Sequence, residues 1–389
     1  MTRTAIPILL AVCLDLLGFG LVIPLLTFYA EDHGASPMQV TGLMASYSLA
    51  QFLFAPAWGR LSDRIGRRPV LLWSIGATAV CLAGFAMADS LLWLYVFRIA
   101  HGAATANIGT AQAALADVTA PEHRARAMGL IGAAFGLGFT AGPAMGGALS
   151  VYGLTVPIWT AAGLSFINFV LAVVLLKETR VPSVSNHTTR SIDPRALVRV
   201  LLHPTVGLYV AVTCLLTTSF ALMESTFTLY AENIWALGPQ SVGWLFGVAG
   251  LTTIVVQGGL LRRLVPRVGE HRLVAVGLIV LACGLVLLPR VSPGPALWAV
   301  FSLMAAGQGF ASPSLTALIS KGAGDEQGFV LGTNQSFAAL GRVLGPTLGG
   351  WLYATRNPAA PFHAAVLVLA VATVATLVAN SRANFRAAG

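Results

Sequence analysis

The sequence predicts an all-α integral membrane protein with twelve transmembrane helices arranged as two pseudo-symmetric six-helix bundles. Three observations carry that prediction. First, 56% of the 389 residues are hydrophobic and only 10% are charged, at a mean hydropathy of +0.79, whereas a soluble domain is roughly 25% charged. Second, twelve apolar runs lie near 5–30, 38–58, 69–88, 91–116, 127–151, 155–176, 204–231, 240–261, 272–289, 295–319, 328–353 and 361–380; each is close to the ~20 residues that a bilayer crossing requires. Third, one offset of 203 residues relates the two halves. Arg64, Gly66 and Gly129 fall on Arg267, Gly269 and Gly332, and Gly138, Gly142, Pro143, Gly146 and Gly147 fall on Gly341, Gly345, Pro346, Gly349 and Gly350. Two like halves around a central pathway is how many secondary transporters are built.

The first run is interrupted by Asp15 and followed by no A-x-A cleavage site, so it is a permanent helix and not a signal peptide. The second and third runs flank the charged loop 59–68. The fourth places Arg98, Gly102, Thr105, Gly109 and Gln112 along one helical face. In the fifth, Gly138, Gly142 and Gly146 recur every fourth residue beside Pro143 and Gly147; such a helix packs very close to a neighbour and bends at a fixed place. The sixth run closes a first bundle, 1–176. Residues 177–203 form a polar, proline-containing cytoplasmic linker, where the sequon at Asn186 never meets a glycosyltransferase.

The second bundle, 204–389, opens with a run that places Thr213, Thr217, Glu224 and Thr228 within about 60° of arc at 100° per residue. The eighth run contains Gln257, and the tenth carries Gln308 and Ser312 one turn apart. The eleventh repeats the glycine and proline pattern of the fifth and adds Gln335 and Arg342 on one face.

The formal charge of +9 is distributed by side. Lys and Arg crowd the N-terminus, every second loop and the C-terminal tail, while the opposite loops hold Arg290 and Arg356. By the positive-inside rule both termini are cytoplasmic, and the basic balance reports orientation, with no nucleic-acid partner. Cys13, Cys81, Cys214 and Cys283 lie far apart within apolar runs, without metal-ligand spacing. Trp58, Trp93, Trp235, Trp298 and Trp351 sit near span ends, as interfacial anchors do.

Asp15, Arg98, His101, Glu224 and Arg342 fall inside the spans, where an ionisable group costs about 3 kcal/mol or more unless it faces a cavity or a partner. A structural ion pair explains any one of them; together they indicate a polar interior. One cavity would then be lined by Arg98, Thr105, Gln112, Gln51, Thr217, Thr228, Gln257, Gln308, Gln335 and Arg342. Small-residue packing is the alternative for the glycines of the fourth run, though not for its arginine. Within such a cavity a carboxyl group can load and release a proton, which makes Glu224 and Asp15 the proton-coupling candidates. His101 ranks below them, as a titratable group or a packing residue.

These residues carry a resemblance. The loop formed by Gly59, Asp63, Arg64, Gly66, Arg67 and Arg68 resembles motif A of the major facilitator superfamily (G-x-L-x-D-R-x-G-R-R/K), residues 94–102 resemble its motif B, and Gly138, Gly142, Pro143, Gly146 and Gly147 resemble motif C of its drug:proton antiporter branch. Asp15, residues 47–52, Asp117 and Gln257 are similar to the tetracycline efflux pumps, and Glu224 to the quinolone and multidrug pumps. The tetracycline pattern departs at Thr253, Leu281 and Cys81, and the quinolone pattern near Gly309, where those families carry histidine or aspartate. The resemblance implies that Asp63 caps the eleventh helix and Arg67 reaches Asp117, together latching the cytoplasmic side. It further implies efflux of a small amphipathic compound in exchange for protons by alternating access. Efflux of a natural metabolite such as a sugar, amino acid or organic anion is the alternative. No cofactor, metal or enzymatic chemistry is expected, and the protein is expected to work as a monomer in a plasma membrane, that of a bacterial inner membrane.

Overall fold

A computed structural model describes residues 5–105, 107–119, 124–179, 200–322 and 327–388, and among these all regular structure is helical. The helices are α1 (Ala5–Asp32), α2 (Pro37–Ile65), α3 (Arg67–Ala86), α4 (Leu91–Ala104), α5 (Asn107–Asp117), α6 (Arg124–Leu149), α7 (Thr155–Leu175), α8 (Val206–Trp235), α9 (Pro239–Val255), α10 (Leu261–Val268), α11 (Glu270–Leu287), α12 (Pro295–Gly322), α13 (Gln327–Thr355) and α14 (Ala360–Ala388). Most of the expected linker, residues 180–199, lies outside the described residues.

Two of the twelve apolar runs are not single α-helices. The fourth, expected as one unbroken helix with one polar face, is α4 followed by α5, with Thr105 leaving helical geometry between them at φ −82°, ψ 20°. The stripe from Arg98 to Gln112 is therefore divided between two helices. The eighth is α9, a π turn (Val256–Leu260) and α10. Among the described helices, α1, α3, α7, α8, α9 with α10, α11 and α14 are each long and apolar enough to cross a bilayer. The fourth run falls short in length, because it is divided between α4 and α5.

The chain packs as two compact units, one of Met1–Pro182 with Ala231–Gly250, the other of Ser183–Tyr230 with Leu251–Gly389. In the first, Ile8 and Leu16 of α1, Ile75 of α3, Leu115 of α5 and Ile131 of α6 form a shared apolar core. The fifth run's glycines bring α6 onto α1 backbone to backbone. A Cβ at Gly138 would stand 2.8 Å from Leu16, and one at Gly142 would stand 2.7 Å from Gly20. Gly147 turns the other way, onto Gly243 of α9, where a Cβ would stand 2.9 Å from the Gly243 Cα. The second unit repeats the first of these seams: Gly341, Gly345 and Gly349 of α13 lie against Thr217, Ala221 and Thr226 of α8. Without a hydrophobic force between helices in lipid, such close van der Waals approach is a main source of association.

The seam sets opposite signs for one substitution. Gly142→Ala places a methyl against the α1 backbone and should destabilise the protein by about 1–3 kcal/mol. Gly163→Ala in α7, where nothing lies within 4 Å, should leave stability unchanged or raised. Thermal unfolding of the two variants in detergent checks both; an equal effect would refute the seam.

Candidate transport site

In the first unit the candidate residues gather around a buried guanidinium. Arg98 is 3% exposed. Its guanidinium carbon stands 4.3 Å from the Tyr47 ring centroid and 5.8 Å from that of Phe19. Phe19 packs on Tyr47 at 5.2 Å and on Phe139 at 6.0 Å, and Tyr47 meets His101 edge-on at 5.1 Å. Arg98 Nε is buried without a hydrogen-bond partner, and among the described residues no carboxylate pairs with it. Cation–π contact with two rings is worth about 2 kcal/mol when desolvated, which offsets only part of what an unpaired buried charge costs. Asp15 is also buried, at 7% exposed, as are His101 and Thr105. Sequence reasoning found Arg98 and His101 but missed Phe19, Tyr47 and Phe139, because aromatic residues in an apolar span look like ordinary core.

The break between α4 and α5 frees backbone carbonyls inside the bilayer, where they cannot go unsatisfied. Three side chains answer them: Trp58 Nε1 donates to Ala103 O at 2.6 Å, Ser74 Oγ to Ala104 O, and Gln51 Nε2 to Thr105 O at 3.3 Å. Trp58 is thus tied to the interior of the unit, which corrects its reading as an interfacial anchor. Gln51 spends a donor on backbone. Gln112 lies beyond the break on α5 and is half-buried.

In the second unit Arg342 of α13 lies close enough to Glu224 of α8 to act on its charge. Both are half-buried and Thr228 is buried. Thr217 lies on the seam facing Gly341, and its hydroxyl donates to Thr213 O at 2.8 Å. Gln308 is half-buried, while Gln257 and Gln335 are exposed. Gln257 belongs to the π turn, a feature that recurs at functional sites.

Motif A forms a clamp at the ends of α2, α3, α5 and α7. Arg67 Nη1 donates to Asp63 Oδ1 at 2.6 Å and to Ser62 Oγ at 2.7 Å, and Arg67 Nε donates to Asp117 Oδ2 at 3.3 Å. Glu178, which follows α7, receives the backbone N–H of Arg67 at 2.9 Å and of Arg68 at 3.1 Å. In return Arg68 donates to Leu176 O at 2.8 Å and Val173 O at 2.9 Å. The start of α3 and the end of α7 therefore cap each other, each charge meeting the favourable pole of the other helix. Gly66 has φ +106°, and a Cβ there would meet the Glu178 carboxylate, so two constraints select glycine. Asp63 is 56% exposed, and a surface pair contributes only ~0.2–1 kcal/mol; hydrogen bonds to a charged group contribute about 1.5–3 kcal/mol. The Glu178 cap is the stronger element. Arg64 is exposed and Gly59 has open space around it. The residues just before α13, where the expected Asp63 cap falls, are outside the described ones.

The second unit holds a counterpart. Glu270 and His271 occupy the places of Arg67 and Arg68 at the offset of 203. Glu270 pairs with Lys321 at the end of α12. Tyr209 Oη lies 2.9 Å from both His271 Nδ1 and Asn380 Oδ1, joining α8, α11 and α14. The ion pair between neighbouring helix ends recurs with its polarity reversed.

Two helical units with capped breaks, buried charges and glycine seams define a multi-pass membrane transporter. Residues 8–337 and 235–384 match the Major Facilitator Superfamily, and the chain belongs to that family. The class E tetracycline resistance protein of Escherichia coli is 34% identical over 369 residues, 92% of this chain and 90% of that protein. Multidrug resistance protein 2 of Bacillus subtilis is 28% identical, covering 96% of this chain and 94% of its own. Among solved structures, the human organic anion transporter MFSD10 (TETRAN) superposes with a TM-score of 0.73 at 26% identity, over 96% of this chain and 99% of that one. The chain is a transporter and not an enzyme.

Removing the Glu178 cap should free the first amides of α3. In Glu178→Ala, hydrogen exchange at Arg67 and Arg68 should accelerate about fivefold or more, as loss of ~1 kcal/mol of capping requires, with a smaller change in Glu178→Gln. Unchanged exchange in Glu178→Ala would show that the cap holds nothing.

Proposed function

We propose that this chain exports small amphipathic compounds, drugs among them, in exchange for protons by alternating access. The observation that carries the reading is likeness to tetracycline and multidrug resistance proteins over nine-tenths or more of the chain. The arrangement of charges supports it. Arg342 lies close enough to Glu224 in the second unit to act on its charge, and Asp15 is buried in the first. A proton and a substrate competing for Glu224 bias one two-state equilibrium in opposite directions, which yields exchange without a mechanical link between separate sites. Asp15 assists, and His101, held against Tyr47, serves packing first. Arg98, Thr105, Gln112, Gln51, Thr217, Thr228, Gln257, Gln308, Gln335 and Arg342 are the positions from which substrate contacts would be drawn. Motif A, with Asp63, Arg64, Arg67, Arg68 and Asp117, acts as a latch and not as a substrate site. In this reading motif A and both termini lie in the cytoplasm of the cell whose plasma membrane holds the protein, which the distribution of basic residues among the loops supports, and the monomer is the working unit.

A second reading, efflux of an organic anion, rests on Arg98. A buried guanidinium stacked on two rings and lacking a carboxylate among the described residues is a receptor for a negatively charged aromatic compound.

Two variants separate chemistry from gating. A one-unit pH gradient can drive about tenfold accumulation per proton exchanged. In proteoliposomes Glu224→Gln should lose that accumulation while still exchanging labelled for unlabelled substrate; full pH-driven accumulation by this variant would pass the role to Asp15. Asp63→Asn should slow turnover while equilibrium substrate affinity stays within a few-fold. A large loss of affinity with normal cycling would move motif A into the substrate site.

A further inference from the structure

A cleft in the second unit takes no part in this mechanism. α11 and α14 pack against each other, both within that unit. They run in opposite directions, because Asn380 near the end of α14 bonds His271 at the start of α11. Between them lies a cleft of about 550 Å³, walled by Ile279, Cys283 and Leu287 of α11 and by Val366, Ala370 and Val374 of α14. From 279 to 287, and again from 366 to 374, each wall is about 12 Å long at 1.5 Å per residue. That is close to one leaflet's share of a ~30 Å hydrocarbon core. Cys283, Leu287, Ala370 and Val374 are exposed, so the cleft opens sideways towards lipid.

One cation marks an end of this cleft. Arg290 follows α11 one turn beyond Val286, which also lines the wall, and its Nη1 donates to Val286 O. The side chain is exposed and no carboxylate among the described residues pairs with it. A guanidinium carries five N–H donors, so most of them remain for another acceptor. His363, three residues before Val366 on α14, adds an exposed imidazole at the same end. The connections there, 288–294 and 356–359, contain no acid. Arginine is uncommon on the side opposite the basic loops, yet here it stands over the mouth of an apolar cleft.

We propose that the cleft holds one acyl chain of an anionic phospholipid, with the lipid phosphate on Arg290. With both termini in the cytoplasm, as in the reading above, the lipid belongs to the outer leaflet. The length of the walls fits a single chain, and the cation fits the headgroup that such a chain carries. A drug fits less well, because binding sites for such compounds supply convergent polar groups, whereas the Thr373 hydroxyl in the wall is spent on Leu369 O at 2.8 Å. A second copy of the chain would have to bury about 1,200 Å² or more for a stable interface, and a cleft about two turns long offers far less. The lipid completes packing between α11 and α14 that side chains leave open.

The test uses phosphatidylglycerol bearing a diazirine on its acyl chain, present in trace amount with the whole protein in phosphatidylcholine vesicles, photolysed and mapped by peptide mass spectrometry. Adducts should concentrate on residues 279–287 and 366–374, and added unlabelled phosphatidylglycerol should displace them. The same photoprobe built on phosphatidylcholine should label the cleft no more than it labels Phe166 and Val174 of α7, which are also exposed. Arg290→Ala should weaken labelling of the cleft about fivefold, the worth of one basic residue at an anionic lipid surface. Ala370→Trp, which fills the cleft, should remove those adducts while labelling of α7 continues and shows the variant folded. Adducts spread evenly over the lipid-facing helices, or cleft labelling indifferent to Arg290→Ala, would overturn the proposal. So would displacement of the adducts by a transported drug, which would put substrate in the cleft, or a covalent dimer formed through Cys283 by a short bismaleimide, which would put a second copy there. The labelling itself contains no substrate, so its failure is distinct from failure of the drug-export reading, which transport assays decide.

Discussion

Inside a bilayer no backbone or charged group can rely on water, so each must find its partner within the protein. Much of this structure follows from that constraint. The fourth crossing breaks at Thr105 and stays viable because Trp58, Ser74 and Gln51 collect the freed carbonyls. Around Arg98 two aromatic faces make up part of the solvation lost on burial. Where helices meet over glycine, as at Gly142 and Gly20, the polar backbone is already paired along each helix and the contact is pure packing. Function is thereby confined to the few charges whose partners can be exchanged.

The internal repeat distributes those charges unequally. Arg98 in the first half corresponds to Phe301 in the second, and Phe139 in the first corresponds to Arg342 in the second. Cation and aromatic have changed places, and Phe301 meets Phe227 edge-on at 4.5 Å. The first unit therefore has an aromatic-caged guanidinium that no carboxylate among the described residues pairs with, and in the second Arg342 lies close enough to Glu224 to act on its charge. At the helix ends the pairs Arg67–Asp117 and Glu270–Lys321 are likewise inverted in polarity.

What the sequence revealed and what it hid divide along physical lines. The spans, the repeat and motif A were legible, since hydropathy and spacing are local properties and Gly66 announces its turn. The seams at Gly142 and Gly345 were legible as close packing, but their partner helices were not. The break at Thr105 left no trace, for no proline marks it and its stability depends on Trp58, Ser74 and Gln51, all remote in sequence. Glu178 was overlooked for the same reason: it lies 111 residues from Arg67 and looks like one more linker charge. Gln257 was singled out by resemblance, whereas its place in a π turn follows from the eighth helix's own backbone.

The central claim is that substrate and proton compete within one protein interior. Its most direct test is to add a panel of drugs and metabolites to the purified, detergent-solubilised protein in weak buffer and to record protons released on binding. The account predicts that amphipathic compounds which bind also release protons, with release falling as the pH is raised beyond the titration of the coupling carboxyl. Tight binding of such compounds with no proton release at any pH would contradict it.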